Sequence, residues 1–148
     1  MNKLGEGRFQ AYGAGSHPRG AVHPMALSVL SGHGFDAAGM RSKSWDEFAL
    51  PDSPVFDFIF TVCGDAAGGT CPVWMGRPMT AHWGIEDPAA VEGEGQRAAF
   101  LQALPCLNRR IELFLPLPHA SIDAMAMKRK LKEIGQGAGT SAKAGQAE

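Results

Sequence analysis

Two cysteines, Cys63 and Cys71, bracket the stretch Cys-Gly-Asp-Ala-Ala-Gly-Gly-Thr-Cys in a chain with one further cysteine, Cys106. A thiolate attacks a disulfide sulfur only if the backbone brings the two sulfurs within bonding range, and Gly68-Gly69 supply that freedom. The pair can therefore be a redox relay. Spacing alone favours the plainer reading, in which Cys63 is a small buried hydrophobe and Cys71 an incidental loop thiol. Adding His82 gives two thiolates and an imidazole, a zinc set with one open position, but no tight Cys-x-x-Cys pair supports it. Asp87-Pro88 offers a second kind of chemistry. A carboxyl on a rigid turn near apolar rings can protonate a leaving oxygen. Asp before Pro is also a routine turn, and spacing by itself favours the turn. His17, His23, His33 and His119 lie scattered through Gly- and Pro-rich segments without metal spacing.

Composition narrows what these groups could act on. Of 148 residues, 14 are Lys or Arg and 15 Asp or Glu, a net charge of −1, so no overall field gathers nucleic acid or an anionic membrane around the chain. No apolar run approaches the roughly 20 residues of a bilayer span, and Met1 to Gly7 lacks the apolar core of a secretion signal. The cytoplasm is the expected location. Three cysteines are an odd and sparse set, unlike the disulfide framework of a small secreted domain. No resident cofactor or metal is expected, and the oligomeric state stays open.

The groups need elements to hold them. Phe9 to Tyr12, between Gly7 and the cluster Gly13 to Pro18, reads as a short strand entering a turn. Pro24 suits the first turn of a helix through Leu30, with Ala26, Leu27 and Leu30 on one face and Gly32 to Gly34 ending it. Ser44 to Glu47 has capping-box spacing, predicting a short helix. Val55 to Val62 reads as a strand covered on both faces, as in a parallel sheet. Met79 to Trp83 reads as another strand. From Glu94, the residues Phe100, Leu104, Leu107, Ile111 and Phe114 recur at steps of three and four, one stripe of a long helix bent at Pro105. Ser121 or Asp123 should cap a last helix through Ile134. Gly135 to Glu148 is small and polar, the composition of a disordered tail. Strands alternating with helices predict an α/β architecture with a parallel sheet, whose ligands sit beyond the strands' C-terminal ends. Those are the loops after Tyr12, Val62 and Trp83.

The ordered run Thr61-Val62-Cys63…Cys71-Pro72-Val73-Trp74, then Met79 to Gly84, then Asp87-Pro88, resembles the bacterial arsenate reductases built on the low-molecular-weight protein tyrosine phosphatase fold. Arg8 to Pro18, Arg41 to Phe48 and Ser121 to Ala124 extend the likeness over roughly Leu4 to Ile134. The resemblance implies a three-layer α/β/α domain over 1–134 with a four-stranded parallel sheet and an anion loop Cys-x-x-x-x-x-Arg after its first strand. It implies that the loop cysteine attacks arsenate or a phosphate-like oxyanion and that Asp87 is the general acid. It also implies that Cys63 and Cys71 carry the oxidation onward to a disulfide reopened by thioredoxin, glutaredoxin or a small thiol. Hydrolysis of phosphate monoesters is the alternative chemistry on this fold. Gly13 stands where the family usually has a Ser that bonds the anion loop. No Cys precedes Cys63, so the first strand and its Cys-x-x-x-x-x-Arg loop are expected to be missing, through a start placed too far downstream or a truncation. A remnant without catalysis, or a chain completed by a strand from a partner, is the reading from another functional class.

Overall fold

A computed structural model describes residues 1–62 and 72–137. Cys63, Cys71 and residues 138–148 lie outside the described residues. Two strands, β1 (Phe58–Thr61) and β2 (Met79–His82), pair in parallel with Phe58 opposite Met79 and Thr61 opposite His82. Among the described residues there are three α-helices: α1 (Pro24–Gly32), α2 (Gly95–Phe114) and α3 (Ala124–Gly135). Helix α3 packs on β2 and on α2, and α1 packs on α2. The architecture is α/β with a parallel sheet, as expected.

Local chemistry explains the helix ends. Pro24 opens α1, whose N-terminal cap is His23, its Nδ1 accepting from Met25 N at 3.1 Å. The helix stops in a Schellman turn. Gly34 takes a left-handed φ of 77°, Phe35 N donates to Leu30 O at 3.0 Å and Gly34 N to Ser31 O at 3.1 Å. In α2 the predicted stripe faces inward and Pro105 points to solvent inside a continuous helix. Asp123 caps α3 by accepting from Ala126 N at 2.9 Å. That helix runs through Gly135, which is buried; the expected tail would have begun there.

Phe114 is the centre of the core. It is fully buried, with edge-on contacts to Phe58, Phe60 and Trp83 and a tilted one to Phe9. Its aromatic neighbours add geometric preference to the ~2–3 kcal/mol that burial of such a ring contributes. Met127, Leu131 and Ile134 of α3 close the cluster.

Three expectations need correction. Phe9 to Tyr12 forms no ladder; the only pairing nearby is a single parallel bridge from Gly15 to Ser44. A strand is defined by its neighbour, and here the Asn2 side-chain amide takes the neighbour's part, donating to Ala11 O at 3.1 Å and accepting from Ala11 N at 2.6 Å. The sheet accordingly has two strands among the described residues, not four. The capping box does not close either. Ser44 Oγ accepts from Asp46 N at 3.2 Å at the start of a 3-10 turn, Trp45–Ala49, but the Glu47 carboxylate is drawn away by a bidentate pair to Arg41 at 2.6 and 3.0 Å. Finally, β1 is half-buried rather than covered on both faces, and Val55 before it is 67% exposed.

Candidate functional site

The two strands stay paired beyond their formal ends. Trp83 N donates to Thr61 O at 2.8 Å and Ile85 N to Val62 O at 2.9 Å. Val62 is the residue before Cys63, and Ile85 is two before Asp87. The parallel ladder thus delivers the Asp87 turn to the same sheet end from which the cysteine segment departs. Asp87 itself is exposed. It caps the short 3-10 turn Pro88–Ala90, Oδ1 accepting from Ala89 N at 2.9 Å, while Pro88 fixes the backbone that follows. One carboxylate oxygen is committed to the turn.

Support for the turn comes from below. Trp83 is buried, stacks on Phe60 with ring centroids 3.9 Å apart, and donates Nε1 to Leu131 O at 3.0 Å. Arg110, 2% exposed, donates Nη1 to Trp83 O and Nη2 to Gly84 O, the latter at 3.2 Å; its Nε is buried without a partner among the described residues. A guanidinium fork is suited to two adjacent carbonyls, which would otherwise be orphaned where the ladder ends. Sequence reading did not single out Arg110. The signal was present in its spacing, three after Leu107 and four before Phe114, on the apolar stripe of α2.

His82 closes β2. Its Nδ1 lies 2.7 Å from Thr61 Oγ1 across the ladder, and its Nε2 is buried without a partner among the described residues. Desolvation pushes its pKa below the ordinary histidine value, outweighing the hydrogen bond to Thr61, and the nearby Arg110 charge pushes the same way. The neutral imidazole therefore belongs to the frame of the sheet end. Of the weighed zinc set, His82 alone lies within the described residues, and among those residues no cluster of three His, Cys, Asp or Glu side chains forms.

The loop after Tyr12 also reaches a concavity. A cleft of about 680 Å³ lies between Tyr12 to Gly15 and the segment Gly39 to Lys43, with Asn2 at its margin. It carries Lys43 and Arg41, the latter engaged with Glu47, whose carboxyl the guanidinium holds below its usual range. Among the described residues no hydrogen bond or ion pair joins this cleft to the Asp87 turn.

The expected absence of a Cys-x-x-x-x-x-Arg spacing is corrected by the chain itself. That spacing occurs once, from Cys71 to Arg77. An anion cradle gathers backbone N–H groups and hands the anion to a helix N-terminus. The segment after Arg77 is instead the strand β2, entered through left-handed residues Gly76 (φ 83°) and Arg77 (φ 53°). The spacing is therefore not by itself the anion loop.

The sequence model for low molecular weight phosphotyrosine protein phosphatases matches residues 1–133. An arsenate reductase of Halalkalibacterium halodurans is 32% identical over 108 residues, which cover 72% of this chain and 74% of the relative. The chain belongs to the low molecular weight phosphotyrosine protein phosphatase family, with the arsenate reductases. Similar relatives include the arsenate reductases of Bacillus subtilis, 33% identical over 64% of this chain and 65% of theirs, and of Staphylococcus aureus, 34% identical over 60% and 63%. This family member spans between three fifths and four fifths of the length of these curated relatives. No helix among its described residues is long and apolar enough to cross a membrane.

Proposed function

We propose that the chain serves thiol-coupled reduction of arsenate to arsenite, with the attacking cysteine coming from an anion loop that these residues do not supply, Asp87 as general acid and Cys63 and Cys71 as the electron-carrying pair. The observation that carries this is the extended pairing of Ile85 with Val62, which sets the Asp87 turn beside the strand leading into Cys63. The relatives named arsenate reductases supply the substrate. Reducing arsenate to arsenite takes two electrons, the number released when two thiols become one disulfide. The reductant that reopens it is thioredoxin, glutaredoxin or a small thiol, and the expected compartment is the cytoplasm.

The test measures arsenate-dependent oxidation of reduced thioredoxin, glutaredoxin or glutathione beside hydrolysis of an aryl phosphate. Expected, once a Cys-x-x-x-x-x-Arg anion loop is joined ahead of the chain, is oxidation of one thiol source, abolished by Cys63→Ser and by Cys71→Ser. Aryl phosphate hydrolysis that survives both substitutions would replace the proposal with phosphate-monoester chemistry. Activity in neither assay, with no Cys63–Cys71 disulfide on mild oxidation, would leave a binding protein.

A further inference from the structure

The segment that carries Asp87 is tied to one helix at both of its ends. At its start, Arg110 of α2 forks to Trp83 O and Gly84 O. At its far end Gln96, in the first turn of the same helix, donates Nε2 to Val91 O at 3.0 Å. Between these ties α2 packs on the 3-10 turn Pro88–Ala90, which Asp87 caps. The backbone in between is held as well: Ile85 N donates to Val62 O at 2.9 Å, and Asp87 accepts from Ala89 N through Oδ1 and from Ala90 N through its carbonyl, at 2.9 and 3.1 Å.

The tie at Arg110 is the harder one to explain by the fold alone. A strand can end by turning its last carbonyls to water, and a guanidinium drawn into the interior loses its hydration. Here Trp83 and Gly84 are both buried, and the charge that meets their carbonyls is buried with them. What the fork supplies is geometry. Its donors lie in one rigid plane, so two successive carbonyls are held in one orientation, which a flexible ammonium would not do. Asp87 follows Gly84 by three residues. An acid must lie within hydrogen-bond reach of the oxygen it protonates, so a small rotation of the backbone at Gly84 is a large loss at the carboxyl.

We infer that Arg110 is a positioning residue for the Asp87 acid, acting through the Trp83 and Gly84 carbonyls, with Gln96 fixing the far end of the same segment. The inference rests on the acid role proposed above. Among the described residues no hydrogen bond or ion pair joins Arg110 to Asp87, so the guanidinium works through the backbone. The helix is the common frame. Because both ties and the turn between them rest on α2, the acid keeps its place relative to that helix while the strands below keep theirs.

Two measurements test it. Amide exchange is followed in the chain as it stands for the wild type, Arg110→Lys, Arg110→Met and Gln96→Ala. The internal reference is Met79, whose N–H donates to Asp57 O at the opposite end of the ladder. Relative to Met79, Arg110→Met should speed exchange at Ile85 and Ala89 roughly tenfold, Arg110→Lys should fall between, and Gln96→Ala should speed Ala89 but not Ile85. A rise shared equally with Met79 is a general loss of stability and overturns the inference, as does no rise. The second measurement uses the loop-joined chain of the arsenate assay. Asp87→Asn should slow turnover about a hundredfold and Arg110→Lys about tenfold, and the double variant should be no slower than Asp87→Asn alone, because an acid already removed cannot be misplaced. An Arg110→Lys loss of equal size in both backgrounds overturns the inference, since the residue would then act on the fold and not on the acid. Asp87→Asn as fast as the wild type removes the acid role and the inference with it, a failure recognised by an exchange pattern that stays as expected.

Discussion

Replacing Arg110 by Met tests whether the sheet end is held from beneath. The guanidinium donates to two carbonyls, Trp83 O and Gly84 O, at a site 2% exposed. Each charge-assisted bond is worth ~1.5–3 kcal/mol and each orphaned buried carbonyl costs ~1–3 kcal/mol, two views of one loss. Against this, Met no longer forces a charge with an unpartnered Nε into the interior, which returns part of the loss. The net expectation is a destabilisation of about 3 kcal/mol for Arg110→Met. Lys can reach one carbonyl but not fork to both, so Arg110→Lys should lie about midway. Urea unfolding followed by tryptophan fluorescence reads both, because Trp83 sits on the perturbed turn. A midpoint in Arg110→Met equal to or above the wild-type value, at unchanged slope, would refute the reasoning: it would show that desolvation of the charge outweighs its two hydrogen bonds.

Gly135→Ala places a methyl 2.7 Å from His82 O and 2.8 Å from Trp83 Cδ1, neither of which is the loose end of a flexible side chain; a loss of about 2 kcal/mol is expected from the same urea titration. Asn2→Ala removes both bonds to Ala11, so its amide should exchange with solvent faster, and stability should fall by about 1 kcal/mol. Stability should also decline as pH falls below about 6.5, because there the unfolded chain protonates His82 while the folded chain, with its depressed pKa, resists. His82→Gln should flatten that limb of the stability profile; an unchanged slope would detach His82 from it.

What was legible in the sequence was what neighbours along the chain decide. Pro24 and Gly34 mark α1, Asp123 marks α3, and the apolar stripe from Phe100 to Phe114 marks α2, because each signal acts within one or two turns. The parallel pairing of the strands was legible from their aromatic and β-branched content. What failed depended on competition across space. Glu47 had the spacing of a capping partner, but Arg41 offered a stronger one. The segment at Phe9 had strand composition and found a side chain instead of a strand. At the sheet end, the turn at Asp87 was legible because Asp-Pro is self-contained, whereas the Thr61–His82 pair required knowing that residues 21 apart fall opposite in the ladder.

The register of that ladder also explains why Val62 and the Asp87 turn lie at one sheet end although they are far apart in sequence. Parallel strands place their C-terminal ends together, so whatever follows β1 and whatever follows β2 must emerge side by side. Shifting β2 by one residue would move His82 away from Thr61 and turn Trp83 out of the core. Trp83 resists this in three ways: its ring stacks on Phe60, its Nε1 donates to Leu131 O, and its carbonyl receives Arg110. Two of those contacts come from helices that close on the sheet from later in the chain. The backbone that leads into the Asp87 turn is therefore held mainly by residues more than 20 places downstream, and damage to α2 or α3 should loosen that turn before it reaches the strand pairing.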